Sequence, residues 1–252
     1  NRPQPKANIL KNYIYPSIDL LDLNESNVDQ ASIDESCKQR VETINTTFRN
    51  LGIGAEVVSY VVGPSVTRFD VETNANSTVT VIQKYITDIS LRLNGAAVRF
   101  VPIVTGKSTS GLEVTNEIRT NVYLREVVEE LPKGEENRLE IPFGKDISGD
   151  LQHAKLVDFP PMLIAGTTGS GKSICVHATI LTLIMRNKPE ELKIVLVDPK
   201  KVEMSYYEDI PHLLCPIITD MRKTYNAMKK LVDEMERRYN LFSAHRCRDI
   251  KG

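Results

Sequence analysis

The hydrophobic residues in the first half of the chain switch between helical and strand spacing. From Ser32 to Leu51 they recur every three or four positions, and Ser32 with Glu35 has the spacing of a capping box. These features predict a helix that begins at Ser32 and is ended by Gly52. The segments AEVVSYVV and SVTRFDVE then alternate with a period of two on either side of Gly63-Pro64, which predicts two strands joined by a turn.

Helical spacing returns over residues 79–93. Two strand-like segments follow, AVRFVPIV and GLEVTN, and then a short helix-like segment, NVYLREVVEEL. This succession predicts a small α+β domain over residues 31–130. Residues 1–30 are polar and rich in Pro and Asn, and they are predicted to form a flexible arm.

The second half of the chain has a different pattern. Residues 131–150 are predicted to be a linker that leads into a hairpin. PMLIA and KIVLVD then read as buried strands on either side of a helix from Ser173 to Arg186, a βαβ unit with parallel strands. A last helix is predicted from about Arg222 to Phe242 with Asp220 as its cap.

Composition narrows the class of protein without identifying it. The 252 residues include 32 basic and 33 acidic side chains, so the net charge is −1 and a polyanion would need a local basic patch. No run approaches the about 18 apolar residues of a membrane span. The four cysteines form no CxxC pair and have no zinc-finger spacing with histidine, which predicts free thiols in a reducing compartment.

Residues 166–173 read GTTGSGKS, a complete GxxxxGK[ST] phosphate-binding loop between a predicted strand and a predicted helix. Glycines allow consecutive backbone N–H groups to turn inward around an anion, and the helix behind adds its positive end. Lys172 is predicted to neutralise the β- and γ-phosphates of ATP, and the Ser173 hydroxyl to bind Mg²⁺. The predicted nucleotide-binding residues are Gly166, Thr167, Thr168, Gly169, Ser170, Gly171, Lys172 and Ser173.

Hydrolysis also requires an acidic residue that helps to hold the metal. IVLVD ends at Asp198, but it is the next strand after the glycine loop and Pro199 follows it. Three interpretations of Asp198 stay open: a metal-associated acid, a residue at the sheet edge near the nucleotide or a neighbouring subunit, and a structural residue. No hhhhDE strand follows, so we expect the chain to hold the nucleotide cradle without the catalytic acid.

Beyond the glycine loop, much of the chain resembles the motor region of FtsK/SpoIIIE-family DNA translocases. The stretch LVDPKKVEMSYYEDIPHLLCPIITD is more specific than the loop itself. Other segments that carry the resemblance are LIAGTTGSGKS, DEMERRYNLFSAHRCRDIKG, YIYPSIDLL, VVGPSVTRFDVE, GLEVTNEIR, YLREVV and FGKDISGD. The resemblance implies an α/β protein. A smaller α+β domain would precede a RecA-like P-loop core with a parallel sheet, and residues 151–252 would be the truncated N-terminal part of that core.

The resemblance also implies a function. It is ATP-driven movement of double-stranded DNA by a ring, usually a homohexamer, in chromosome segregation at cell division or sporulation. ATP and Mg²⁺ would be the cofactors, and Lys172 the catalytic residue. The family's catalytic acid and arginine finger would lie beyond Gly252 and its membrane anchor before Asn1. We therefore expect slow hydrolysis by this fragment and a location on the cytoplasmic side of the bacterial membrane. Two alternatives stay open: a related ATPase of protein secretion or conjugative transfer, and a nucleotide-binding or oligomerising module that is not an enzyme.

Several charged residues have more than one open interpretation. Lys200 and Lys201 face DNA, a neighbouring subunit's nucleotide, or solvent. Arg237 and Arg238, with Glu236, form an inter-subunit network or local surface pairs. The arginines of the first domain line a DNA channel or lie on a plain surface: Arg68, Arg92 and Arg99. His212 is predicted to be a packed, hydrogen-bonded histidine.

Overall fold

The computed structural model of the protein describes residues 13–24, 30–74 and 78–248. These residues fall into two compact units. The sheet unit is Ile18–Leu163, and the glycine-loop unit joins the N-terminal segment up to Ser17 to the residues from Ile164 onward. Most of the predicted flexible arm lies outside the described residues. The predicted domain limits at residues 130 and 150 stay predictions.

A four-stranded antiparallel sheet with the order β1-β2-β4-β3 forms the centre of the sheet unit. Its strands are β1 (Ala55–Val62), β2 (Val66–Thr73), β3 (Val98–Val101) and β4 (Ser110–Thr115). The hairpin predicted around Gly63-Pro64 is confirmed, since Val62 pairs with Thr67 and Ala55 with Thr73. A separate antiparallel hairpin consists of β5 (Glu140–Lys145) and β6 (Leu151–Lys155).

Helices cover one face of the sheet. They are α1 (Gln30–Asn50), α2 (Val79–Lys84) and α3 (Ile86–Arg92), and α4 (Leu124–Glu130) lies later in the chain. The core joins α1 to the sheet through fully buried side chains, among them Ile44, Phe48, Phe69, Ile89, Leu112 and Val114. Alternate residues of each strand point away from the helices, which explains the period of two in the sequence.

Two helix predictions for the sheet unit need correction. The helix α1 begins at Gln30, so Ser32 lies inside it and is not its cap. The single helix predicted over residues 79–93 is two helices, because the backbone at Tyr85 leaves helical geometry with φ −103° and ψ 15°. Gly52 ends α1 as predicted, in the left-handed region with φ 66° that glycine tolerates best.

The glycine-loop unit contains two long helices, α5 (Lys172–Arg186) and α6 (Met221–His245). The predicted cap is confirmed, since the Asp220 carboxylate accepts hydrogen bonds from the N–H groups of Arg222 and Lys223. No residue of α6 is buried, so its predicted apolar stripe faces solvent within the described chain. None of the described helices combines the length and apolar character that crossing a membrane requires.

The strand pairing of this unit differs from the prediction. Ile194 and Val197 form parallel bridges with Leu213 and Ile218, so the second predicted strand has a parallel partner that the sequence pattern did not predict. The PMLIA segment is not a strand, and its Leu163 is 90% exposed. A strand needs a hydrogen-bonded neighbour, and no ladder joins residues 161–165 to another described segment.

Candidate functional site

The glycine loop has the backbone geometry that an anion cradle requires. Gly169 and Gly171 have φ values of 80° and 90°, a conformation that side chains with a Cβ atom adopt at a cost. Gly171 is the left-handed N-cap of α5, and no side chain caps that helix. The first N–H groups of α5 are therefore available to an anion at its positive end.

Close packing within the loop explains a third glycine. A Cβ atom on Gly166 would collide with the Ser170 hydroxyl oxygen and lie 3.1 Å from the Ser170 Cβ atom, so the Ser170 side chain would have to move. The Ser170 N–H also donates to the Thr167 carbonyl oxygen at 3.2 Å, which closes the turn. The motif specifies glycine at position 166, and the close packing there favours a residue without a side chain.

Lys172 folds back over the loop. Its Nζ atom donates hydrogen bonds of 2.8 Å to the carbonyl oxygens of both Gly166 and Thr167. A phosphate group would offer the same ammonium a charged acceptor in place of two neutral ones, and charge-assisted bonds are stronger. Ser173 follows in the first turn of α5 and is only partly buried. The donor set present, backbone N–H groups with one ammonium and one hydroxyl, fits a magnesium-bound triphosphate.

Asp198 organises the loop that follows the second strand segment. Its two carboxylate oxygens accept hydrogen bonds of 3.0 to 3.1 Å from five backbone N–H groups, those of residues 200 to 204. The bond from the Met204 N–H is the largest influence on the pKa of Asp198, and with the other amides it outweighs burial and lowers that pKa. Of the three interpretations left open by the sequence, this geometry supports the structural one.

We expect Asp198→Ala to loosen the segment from residue 199 to Met204. Five N–H groups would lose their acceptor, and hydrogen bonds to a charged group are among the stronger ones. Amide hydrogen exchange of residues 200 to 204 should accelerate strongly in this variant. The exposed Asp233 on α6 provides the matched control, because Asp233→Ala should leave that exchange unchanged. Slow exchange retained in Asp198→Ala would contradict the structural role.

The remaining charged candidates are mostly paired locally. Arg237 and Arg238 both donate to Glu234 on the same helix, which supports local surface pairs and lowers the pKa of Glu234 to about 2. In the sheet unit, Arg68 pairs with Asp70 at 2.8 Å. Arg99 pairs with Glu113. The side chains of the remaining three candidates face solvent: Arg92, Lys200 and Lys201.

His212 behaves as the sequence predicts. It is 1% exposed, and its Nε2 atom lies 2.8 Å from the Asn187 carbonyl oxygen. Burial is the main cause of a pKa below the ordinary histidine value, so the ring is neutral near pH 7. The rings of Tyr13 and His212 also form a T-shaped pair with their centroids 5.9 Å apart. This confirms a packed, hydrogen-bonded histidine.

Sequence reasoning missed a contact between α5 and the segment that follows Asp198. The His177 Nδ1 atom lies 2.8 Å from the Tyr207 hydroxyl oxygen, and the two rings are 5.5 Å apart. One signal was present in the sequence. His177 follows Ser173 by four residues, so the two side chains share a face of α5. The partner could not be predicted, because it is 30 residues away in the chain.

Comparison with known proteins gives matches over nearly the whole chain. Residues 123–252 match the FtsK/SpoIIIE family, and residues 15–116 match the FtsK alpha domain. These matches confirm the resemblance. They also confirm the predicted α/β fold class, a RecA-like P-loop core preceded by a smaller α+β domain.

Individual relatives agree with the family match. A protein named DNA translocase FtsK from Listeria monocytogenes is 38% identical over 95% of this chain and 32% of its own length. A protein of the same name from Caldanaerobacter subterraneus subsp. tengcongensis is 42% identical over 85% of this chain and 30% of its own length. This chain therefore spans about a third of the length of these curated relatives.

Among solved structures, one that is similar can be compared directly. It is the pCW3 conjugation coupling protein TcpA in a monomer form with ATPgS. The match covers 84% of this chain and 59% of that one at 19% identity, with a TM-score of 0.43. That likeness is too weak to bear on the fold or the function of this chain.

Proposed function

The chain belongs to the FtsK/SpoIIIE family, and on this premise we propose that it is the nucleotide-binding part of an ATP-driven motor that translocates double-stranded DNA. The observation that carries the proposal is the glycine loop: two left-handed glycines, the open end of α5 and an ammonium group meet within one turn. The relatives are named DNA translocase FtsK, which supports DNA as the substrate.

In this proposal each residue of the loop has a separate task. The N–H groups around Gly169 and Gly171 hold the phosphate oxygens, and Gly166 keeps the loop compact. The main chain of Thr167, Thr168 and Ser170 completes the cradle. Lys172 turns from the carbonyl oxygens of Gly166 and Thr167 to the phosphates, where its charge offsets the charge that develops during transfer.

Ser173 is the proposed magnesium ligand of this chain. Its hydroxyl lies in the first turn of α5, one residue after Lys172, and hard cations prefer oxygen ligands. When bound, Mg²⁺ would neutralise charge on the phosphate oxygens. The described residues of this chain would orient the nucleotide, while Asp198 is occupied by its own loop.

The assembly that we propose is a ring of identical subunits, usually six, that holds DNA through its phosphate backbone. Such contacts discriminate little between DNA sequences, and they weaken as the salt concentration rises. The net charge of −1 means that they must come from local basic groups, and Lys200 and Lys201 are exposed candidates. The ring would act in chromosome segregation at division or sporulation, at the cytoplasmic side of the membrane.

We expect double-stranded DNA to stimulate the ATPase activity of the full-length protein several-fold. Translocation couples hydrolysis to a bound track, so an idle motor without DNA should turn over slowly. The measurement is a steady-state ATPase assay with linear duplex DNA at two salt concentrations, and stimulation should fall at the higher one. A rate that DNA leaves unchanged and that a protein substrate raises would contradict the proposal and indicate a secretion motor.

A further inference from the structure

The first two turns of α5 have few anchors of their own. Gly171 caps the helix without a side-chain hydrogen bond, and the first buried residue of α5 is Ile180, more than two turns into the helix. Within the described part of the chain, the hydrogen bonds of Lys172 go to carbonyl oxygens of the glycine loop itself. Val176 in the second turn packs against the apolar core of the unit, and one further contact, a hydrogen bond, links this end of the helix to that core.

That contact is made by His177. Among the residues that the structure describes, its hydrogen bond to Tyr207 is the side-chain bond that joins the start of α5 to a segment outside the glycine loop. The bond is 2.8 Å long, and the two rings pack with an interplanar angle of 32°. His177 lies one turn after Ser173 on the same face of the helix.

The position of Tyr207, the partner in this hydrogen bond, is itself fixed by its surroundings. Its ring is buried in the core of the unit with Ile180 and Leu196. Three residues earlier, the Met204 N–H is held by Asp198. Burial raises the pKa of Tyr207, so its hydroxyl keeps its proton and stays available for this hydrogen bond.

We propose that His177 is a positioning residue of the nucleotide site: through its hydrogen bond to Tyr207 it fixes the first turns of α5 and so places Lys172 and Ser173 against the phosphates. This inference rests on the proposed function, because it presumes that the glycine loop binds a triphosphate. His177 does not touch the nucleotide in this account. It acts through the helix.

The test measures the affinity of the 252-residue chain for a fluorescent ATP analogue with Mg²⁺. The variants are His177→Ala, Tyr207→Phe and the double variant. Tyr207→Phe keeps the buried ring and removes only the hydroxyl. Each single variant should weaken binding about three- to tenfold, the range that the loss of one hydrogen bond gives. The double variant should weaken binding no further, because both changes remove the same bond.

Tyr206→Phe is the matched control, since Tyr206 is the neighbouring tyrosine, is 84% exposed and should tolerate the same change without effect. A purely structural role would lower the thermal midpoint and leave the affinity of the folded chain unchanged, which would overturn the inference. Additive losses in the double variant would overturn it as well. If the unmodified chain fails to bind the analogue, the proposed function fails first. If the unmodified chain and all three variants bind the analogue equally well, the role of His177 is refuted while the proposed function stands.

Discussion

Lys172→Ala is expected to weaken binding of Mg²⁺·ATP to this chain about 100-fold. The side chain brings the only full positive charge of the glycine loop, which carries no other basic residue from 166 to 173. Loss of one partner from a desolvated, hydrogen-bonded charge pair commonly costs about 2 to 5 kcal/mol, or about 30-fold and more. Titration with a fluorescent ATP analogue measures the change directly.

Lys200→Ala is the matched control for this experiment, because Lys200 is an exposed lysine of the same unit outside the glycine loop. It should bind the analogue as the unmodified chain does. The thermal midpoint of Lys172→Ala without nucleotide should stay close to that of the unmodified chain, since among the described residues the hydrogen bonds of Lys172 go to its own loop. Equal affinity of the Lys172→Ala and Lys200→Ala variants for the analogue would show that Lys172 does not bind the nucleotide.

The second large effect is expected in the sheet unit. Asp70 on β2 is 1% exposed and accepts hydrogen bonds from three side chains: Arg68, Lys107 and Ser59. Asp70→Ala would leave two cations beside the sheet without their shared acceptor. Breaking a buried ion pair in this way costs about 3 to 5 kcal/mol, and the half-exposed Lys107 places the expectation near the lower end of that range.

The rate of hydrogen exchange at the β2 and β4 amides measures the stability of this sheet directly. It should accelerate in Asp70→Ala and stay unchanged in Glu72→Ala, a control at an exposed acidic residue of the same strand. Slow exchange in Asp70→Ala would show that the two cations find other partners.

The same carboxylate gives a pH dependence with a defined sign. Burial alone would raise the pKa of Asp70, but the hydrogen bonds from Lys107, Ser59 and Arg68 and the charge of Arg68 together lower it. A carboxyl group whose pKa is lower in the folded state than in the unfolded state stabilises the fold at pH values above its unfolded pKa, which is about 3.9 for aspartate. That stabilisation is lost as the pH falls below about 4, through the folded pKa. Asp70→Asn should flatten this part of the stability curve.

The sequence predicted those features that depend on local chemistry. The glycine loop was recognisable because its spacing is set by backbone sterics, which the positive φ values of Gly169 and Gly171 confirm. The helix α5 begins within one residue of its predicted start, and Asp220 caps α6 as predicted. In each case the interacting groups lie within a few residues of one another.

Features that depend on distant partners could not be predicted in this way. PMLIA is apolar enough for a buried strand, but a short apolar run does not reveal whether a neighbouring strand exists. The sequence leaves three interpretations of Asp198 open, because the five N–H groups around its carboxylate are visible only in the structure. The pairing of His177 with Tyr207 has no local signature beyond the shared helix face of Ser173 and His177.

The most direct test of the central claim is a crystal structure of this chain with Mg²⁺ and a non-hydrolysable ATP analogue. The account predicts phosphate density against the N–H groups of residues 169 to 173. It also predicts that Lys172 Nζ leaves the carbonyl oxygens of Gly166 and Thr167 to bind the phosphates. A loop that stays empty at saturating analogue, with Nζ still 2.8 Å from both carbonyl oxygens, would contradict it.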